Sequence, residues 1–267
     1  MLKPTLAVAL IVPAAAYSLI PHAPPTPTTS MPHAADDAVE PEAAPRRAPQ
    51  AADYDEVEIA GFAVLVERAF LRDDPTHARR TLAALTFDLE LCVERLPGDA
   101  VNGLREWSKV WVTRALPGRA GFTAAALCYH ESEAWVTTHG YGKERARAVE
   151  VCNAANYLAW RAEQPMSILH EMAHAWHARL GHPAYIDEAF ERAKASGVYD
   201  RVGHALGGDT RRAYAMNNSR EFFAELSEAY FGRNDFEPFT RPALEAHDSP
   251  GAAMVRRAWG IGEGPGR

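Results

Sequence analysis

The feature that most constrains this sequence is an H-E-x-x-H pattern formed by His170, Glu171 and His174. Residues four apart on a helix lie on one face, so both imidazoles can point to one position about 2 Å from each, the bond length that zinc prefers. Glu171 is then placed to take a proton from a metal-bound water. Pro165 suits the first turn of such a helix and Gly181 suits its end. The pattern predicts one Zn²⁺ per chain, with Glu171 as the general base.

The pattern supplies only two metal ligands, whereas a catalytic zinc site has three from the protein, so the site needs a further metal ligand. A metzincin would carry glycine at the position of His177 and histidine at that of Leu180, so that class is excluded. The other common solution is a glutamate on a later helix. A helix is predicted over 218–231, with Asn217 or Asn218 as its cap. It carries Glu221 and Glu225 four residues apart. Either can bind the metal while the other supports a ligand, or both can be solvated on an amphipathic helix.

The residues around this second helix carry a family resemblance. H-E-x-x-H is followed by Tyr214 and then by the segment 217–225, NNSREFFAE, with Glu221 seven residues after the tyrosine. This arrangement resembles the catalytic domain of anthrax lethal factor and its bacterial relatives, which are gluzincin-type zinc metallopeptidases. The segment 228–236 is similar to that of related bacterial proteins. The resemblance covers about 165–239.

The resemblance implies that His170, His174 and Glu221 are the zinc ligands. It also implies that Glu171 is the base and that Tyr214 is a transition-state donor. The tyrosine-to-glutamate spacing matches Glu221 and not Glu225, and the start of the helix lies beside Tyr214. It implies nothing about substrate, because the toxin's other domains have no counterpart here. The long stretch 181–213 departs from the family.

Two side chains are candidates to support the metal ligands. Glu225, one turn after Glu221, is expected to accept a hydrogen bond from a ligand histidine or from an arginine. His177 lies two turns from His170 on nearly the same face, and it either orients a ligand or packs in the core.

The N-terminus has the features of a targeting segment. Lys3 supplies a positive charge, 6–12 is apolar, and 14–16 are alanines suited to signal peptidase. The alternative is an uncleaved membrane anchor within 1–20, because Leu19 and Ile20 extend the apolar run. The stretch is short for a membrane span, which favours a cleaved signal peptide and an exported protein.

A linker is predicted over 21–53, which holds eight of the chain's 19 prolines. Such a composition buries too little apolar surface to offset the entropy of ordering. The region 54–267 is then a single domain, and a hydrophobic content of 47% is enough for a core. No long basic run accompanies the net charge of −7, so a nucleic-acid partner is not expected.

Strand and helix patterns predict an α+β domain, with a small mixed sheet before the motif helix and a mostly helical C-terminal part. The resemblance implies that this domain is zincin-like. The strand 149–153 is either an edge that pairs with a peptide substrate or a buried interior strand. The predicted strands cover 57–66, 109–113, 122–128, 134–138 and 149–153. Besides the motif helix, the predicted helices cover 75–95, 184–196, 218–231 and 250–259.

Three cysteines, Cys92, Cys128 and Cys152, allow at most one disulfide in an exported chain. Cys128 and Cys152 fall in predicted strands and can be neighbours. The alternative is three buried thiols that pack as small hydrophobic groups. Their wide spacing argues against a cysteine-based zinc knuckle.

Together these patterns predict an exported zinc metallopeptidase that acts on a peptide or protein. It would contact a membrane only through an uncleaved anchor. Two alternatives remain. One is a catalytically silent binding domain on the same scaffold, which would have no need of Glu171. The other is a zinc amidase that acts on cell-wall cross-links.

Overall fold

Five short strands form one sheet in the computed structural model, which describes residues 48–116 and 125–262. The strands are β1 (Tyr54–Ile59), β2 (Phe62–Glu67), β3 (Val110–Val112), β4 (Leu127–His130) and β5 (Ala148–Val151). They lie in the order β1-β2-β3-β5-β4. The pairs β1–β2 and β4–β5 are antiparallel, whereas β2–β3 and β3–β5 are parallel. The sheet is therefore mixed, and β5 is an interior strand.

Helices make up most of the remaining described chain, which belongs to one compact unit. The first five are α1 (Arg68–Asp73), α2 (Pro75–Arg95), α3 (Gly98–Trp107), α4 (Glu133–Thr138) and α5 (Ala154–Trp160). The others are α6 (Ser167–Arg179), α7 (Ala184–Ser196), α8 (Ser219–Phe231), α9 (Arg241–His247) and α10 (Ser249–Ala258). The predicted α+β class, with a small mixed sheet and a mostly helical C-terminal part, is confirmed. Within the described ranges, none of the helices has the length and apolar character of a membrane span.

The main hydrophobic core lies between one face of the sheet and the helices. Side chains alternate along a strand, so Val64 and Val66 of β2 face this core while Leu65 between them belongs to a smaller cluster with Trp111. Helix α6 packs against β4, β5, α2 and α3. Burial of these apolar surfaces fixes the motif helix over the sheet.

The opposite face of the sheet carries a buried polar network around Glu150 of β5. Its carboxylate accepts hydrogen bonds from Arg145, from His130 Nε2 at 2.7 Å and from Thr113 Oγ1 at 2.5 Å. Glu150 and Arg145 are both almost completely buried. Because a buried charge is costly without a partner, the network holds these segments together.

Two predicted strands differ in the structure. The stretch 57–66 is not one strand but a hairpin, which turns at Ala60 and Gly61 with positive φ angles of 51° and 80°. The stretch 134–138 is helical, as α4. Its N-cap Ser132 accepts a hydrogen bond from Trp135 N at 3.1 Å, and this cap outweighs the β-branched residues that suggested a strand.

Of the two alternatives for 149–153, the interior strand is the one found. The strand there is β5, which lies between β3 and β4, so among the described residues β4 and not β5 ends the sheet on this side. Of the predicted strand 122–128, residues 122–124 lie outside the described residues, and β4 begins at Leu127.

The predicted signal segment 1–20 and the part of the predicted linker before residue 48 lie outside the described residues. Residues 48–53 already contact the domain: Pro49 O accepts a hydrogen bond from Arg145 Nη2 at 2.8 Å, and a 3₁₀ turn covers 51–53.

Candidate metal centre

Helix α6 presents one buried face and one partly open face. On the buried side, Trp176 Nε1 donates to Ala258 O at 2.8 Å, and its ring stacks on Trp259 at a centroid distance of 5.5 Å. His170 and His174 lie on another side of the helix, and each side chain is 14% exposed. The helix starts at Ser167, so Pro165 precedes it rather than occupying its first turn. The packing fixes the helix while both histidines stay partly accessible.

Helix α8 crosses beside α6 and supplies the carboxylate. Asn218 caps it, since its side chain accepts hydrogen bonds from the backbone N–H groups of Arg220 and Glu221, each at 3.0 Å. This cap fixes the first turn, where Glu221 lies. Tyr214 stands just before, in a 3₁₀ turn over Tyr214–Met216.

The two histidines and Glu221 converge on one position. Glu221 Oε2 lies 3.0 Å from His170 Nε2 and 3.4 Å from His174 Nε2. Ligands of a tetrahedral ion with bonds near 2 Å are roughly 3.3 Å apart. These three residues form a group whose donor atoms lie within 4.8 Å of one another and could hold a metal ion. Two imidazoles and one carboxylate therefore fit a divalent metal such as zinc in both spacing and chemistry.

The charges of the three residues favour a bound cation. Burial lowers the pKa of His174, which leaves a neutral imidazole with a lone pair for a metal. Burial also opposes protonation of His170, but hydrogen bonds to Glu221 and Glu228 outweigh it and raise the His170 pKa well above its usual value. The two carboxylates therefore stabilise a positive charge at this position.

Glu171 is a carboxyl group with an altered acidity. Burial raises its pKa to about 7, and Glu221 adds to the rise while His170 opposes it. A carboxyl with a pKa near neutrality can both accept and return a proton at physiological pH.

Tyr214 lies close to the candidate ligand His170. Its ring centroid is 6.4 Å from that of His170. Burial, together with the negative charge of Glu221, raises the Tyr214 pKa to about 12, so the phenol stays protonated. It is therefore a hydrogen-bond donor near the candidate ligands.

The supporting carboxylate differs from the one expected. Glu228 Oε1 lies 2.7 Å from His170 Nδ1, whereas Glu225 Oε1 is 3.7 Å from the same nitrogen. Both glutamates are almost completely buried. Glu221, Glu225 and Glu228 follow an i, i+4, i+7 pattern on α8, and this spacing is the sequence signal that could have identified Glu228.

Glu225 is a different kind of buried acid. Within the described residues its Oε2 has no hydrogen-bond partner. Burial raises its pKa well above the usual value, and the nearby Glu228 and Asp235 add to the rise. Burial also raises the pKa of Glu228, although its hydrogen bond with His170 opposes the rise, and a shared preference for one neutral carboxyl avoids two adjacent buried negative charges.

His177 packs beside the site. Its ring lies 5.4 Å from Phe223 and 4.6 Å from His182, measured between centroids. Its Nδ1 has no hydrogen-bond partner among the described residues. Burial lowers its pKa to about 4, and His182 contributes to the fall. These contacts are those of a neutral packed histidine.

Comparison of the chain with models of known protein families, with curated proteins and with solved structures finds no match in any of the three.

Proposed function

We propose that this chain is a zinc-dependent metallopeptidase with a gluzincin-type site on a zincin-like domain. The observation that supports the proposal most is the convergence of His170, His174 and Glu221 from two packed helices, with Glu171 beside them. The tyrosine near the same site adds the donor that the resemblance implies.

His170, His174 and Glu221 would hold one Zn²⁺, which when bound lowers the pKa of a water to about 7 and polarises the substrate carbonyl. Glu171 accepts the proton of the attacking water and returns it to the leaving amine. The Tyr214 O–H donates a hydrogen bond to the carbonyl oxygen as negative charge develops on it. Glu228 accepts from His170 Nδ1 and so directs the other ring nitrogen towards the ligand position.

Two features beside these residues support a binding place for a substrate peptide. An extended chain can add to the edge of a sheet, and β4, which packs beside α6, is the terminal strand on this side in the described structure. A cavity of about 320 Å³ is lined by His177, Ser219 and Arg220 among others, next to the candidate ligands. We assign β4 to the substrate backbone and this cavity to a substrate side chain.

Zinc content and hydrolysis test the proposal together. The purified full-length chain should contain one zinc per molecule and should cleave members of a peptide library, whereas Glu171→Gln should keep the zinc and lose the cleavage. Muropeptides assayed in parallel test the amidase alternative. If the chain cleaves muropeptides and no library peptide, its activity is that of an amidase and not of a peptidase. A folded, metal-free chain that does not bind added zinc would contradict the proposed zinc site.

Export is part of the proposal. Mass spectrometry of the mature chain should find residues 1–16 removed. An intact N-terminus recovered in a membrane fraction would instead identify an anchor.

A further inference from the structure

A second cluster, which shares no residue with the candidate metal centre, lies at the junction of β4 and β5. Cys128 Sγ is 2.7 Å from Cys152 Sγ, and both cysteines are free thiols. The bond in a disulfide is about 2.05 Å long, so the two sulfur atoms need to move together by only about 0.7 Å. Cys128 is partly buried in β4, whereas Cys152, directly after β5, is 0% exposed.

The strand pairing makes the two cysteines diagonal neighbours. Cys128 pairs with Glu150 in the antiparallel ladder, and Leu127 pairs with Val151, so Cys152 is the next residue along. Cys152 N also donates to Ala126 O at 2.9 Å. Both side chains lie on the same face of the sheet, which brings the two sulfur atoms within 2.7 Å of each other.

His130 makes Cys128 the more reactive of the two. His130 Nε2 lies 3.5 Å from Cys128 Sγ and 2.7 Å from Glu150 Oε2. Although burial lowers it, the neighbouring Cys128 and Glu150 raise the pKa of His130 to about 10, so a cation stands beside the sulfur. A neighbouring cation stabilises a thiolate, which is the attacking species in thiol–disulfide exchange.

The same three side chains could hold a metal ion by proximity alone. However, two thiolates bound to zinc at about 2.3 Å each are roughly 3.7 Å apart in a tetrahedral site. The observed sulfur separation is 1.0 Å shorter than that (3.7 − 2.7), and His130 Nε2 is already shared with the buried Glu150. The geometry favours a sulfur–sulfur bond over a second metal site.

We propose that Cys128 and Cys152 are a disulfide-forming pair, closed by exchange with a small-molecule disulfide, which covalently joins β4 to the end of β5. The Cys128 thiolate attacks one sulfur of the external disulfide, forms a mixed disulfide and expels one thiolate. The Cys152 thiol then passes its proton to the expelled thiolate and attacks the Cys128 sulfur, which expels the second thiolate. Two protein thiols are oxidised, and the external disulfide is reduced to two thiols.

Thiol mapping of the full-length chain tests the pair. The chain is reduced, freed of reductant and metal, exposed to oxidised glutathione, quenched in acid, and then alkylated in denaturant so that buried thiols also react. We expect the loss of two thiols per chain and one linked peptide pair that contains Cys128 and Cys152, with Cys92 alkylated. Cys92 is the internal control because it is buried in the main core. A stable glutathione adduct on Cys128 with Cys152 still alkylated would overturn the proposal.

Single variants test the order of attack. Cys152→Ser should accumulate a glutathione adduct on Cys128, whereas Cys128→Ser should leave Cys152 unmodified while the variant remains folded by circular dichroism. The reverse pattern would overturn the assignment of Cys128 as the attacking thiol. Cys92→Ala should still lose two thiols on oxidation, and failure to do so would contradict the pairing.

Addition of zinc distinguishes a disulfide-forming pair from a metal site. Added zinc should leave the rate of thiol loss unchanged, because the thiols are not its ligands. Protection of both thiols, together with a second zinc equivalent that Cys128→Ser loses, would show a metal site instead. The inference does not depend on the proposed peptidase activity, since its measurements count thiols and peptides.

Discussion

Glu228 Oε1 lies 2.7 Å from His170 Nδ1, on the side of the ring opposite the nitrogen that faces Glu221. The buried carboxylate fixes the tautomer and the orientation of the ring, which is the usual task of a carboxylate behind a metal-binding histidine. Sequence patterns suggested Glu225 for this role. In the structure, Glu228, one turn further along α8, makes this contact instead.

Replacing Glu228 should weaken metal binding without removing it. We expect Glu228→Ala to lower zinc affinity by about 10–100-fold, because His170 loses its orienting acceptor. Competition with a chromophoric chelator measures the change. Glu225→Gln is the matched control: its carboxyl lies 3.7 Å from His170 Nδ1, and burial raises its pKa and favours the neutral form, so the affinity should stay within a few-fold of the parent's. A larger loss in Glu225→Gln than in Glu228→Ala would return the orienting role to Glu225.

Replacing Glu221 should have a larger effect. Glu221→Ala leaves two histidines at the site, so the purified variant should contain no zinc and should not retain it after dialysis. Metal analysis of the folded variant checks this. If it kept parent-like affinity, the third ligand would lie elsewhere in the chain.

Glu171→Gln should separate metal binding from catalysis. The substitution spares the three candidate ligands and removes the proton acceptor. We therefore expect unchanged zinc content and a fall in kcat of at least about 10²-fold. Hydrolysis of the best library peptide provides the readout, and parent-like activity would contradict the assigned base.

Tyr214→Phe should act on the transition state alone. Because the tyrosine is a protonated donor, its loss should lower kcat by about 10²–10³-fold and leave both KM and zinc affinity nearly unchanged. Tyr185→Phe provides the comparison, since that tyrosine packs against Arg257, with the cation 3.9 Å from the ring centroid. Equal kinetics in the two variants would remove Tyr214 from the mechanism.

The network around Glu150 should control stability in acid. Burial alone would raise the Glu150 pKa, but Arg145 and His130 outweigh it and lower the pKa from 4.5 to about 2. The contribution of the ionised carboxylate is therefore complete above pH 4.5 and is lost as the pH falls towards 2. Glu150→Gln should lower the free energy of unfolding by about 3–5 kcal/mol at neutral pH, because Arg145 keeps a buried charge without its partner.

Denaturant unfolding of parent and variant across this pH range measures the effect, and the difference between them should shrink as the solution becomes more acidic. Glu56→Gln is the control. Glu56 is exposed and pairs with Lys109 at 2.8 Å, so its loss should cost no more than about 1 kcal/mol. A constant difference between Glu150→Gln and the parent from pH 7 to pH 2 would contradict the lowered pKa.

The candidate ligands could be predicted because helix geometry alone sets the positions of His170 and His174 relative to each other. The choice of Glu221 needed the resemblance, since Glu225 shares its face. Glu228 was missed because its role depends on how α8 crosses α6, which is a tertiary relationship. The sequence pattern shows a stripe of glutamates but not which one reaches His170.

The errors in the sheet have a similar origin. The turn of the first hairpin uses Ala60 at a positive φ of 51°, where asparagine or glycine would have marked it. Helix α4 depends on the Ser132 cap, whereas the β-branched residues Val136, Thr137 and Thr138 favoured the prediction of a strand. The order of β4 and β5 is set by long-range pairing, so no local pattern could identify the interior strand.

Arg145 has a consequence for where this protein can be shortened. Its guanidinium donates to Pro49 O at 2.8 Å and to Tyr54 Oη at 2.7 Å. A recombinant chain that starts at Ala48 keeps both acceptors. One that starts at Tyr54, the boundary suggested by composition, deprives a buried cation of one acceptor and opens its surroundings to water. Trimming for crystallisation should therefore stop before Pro49.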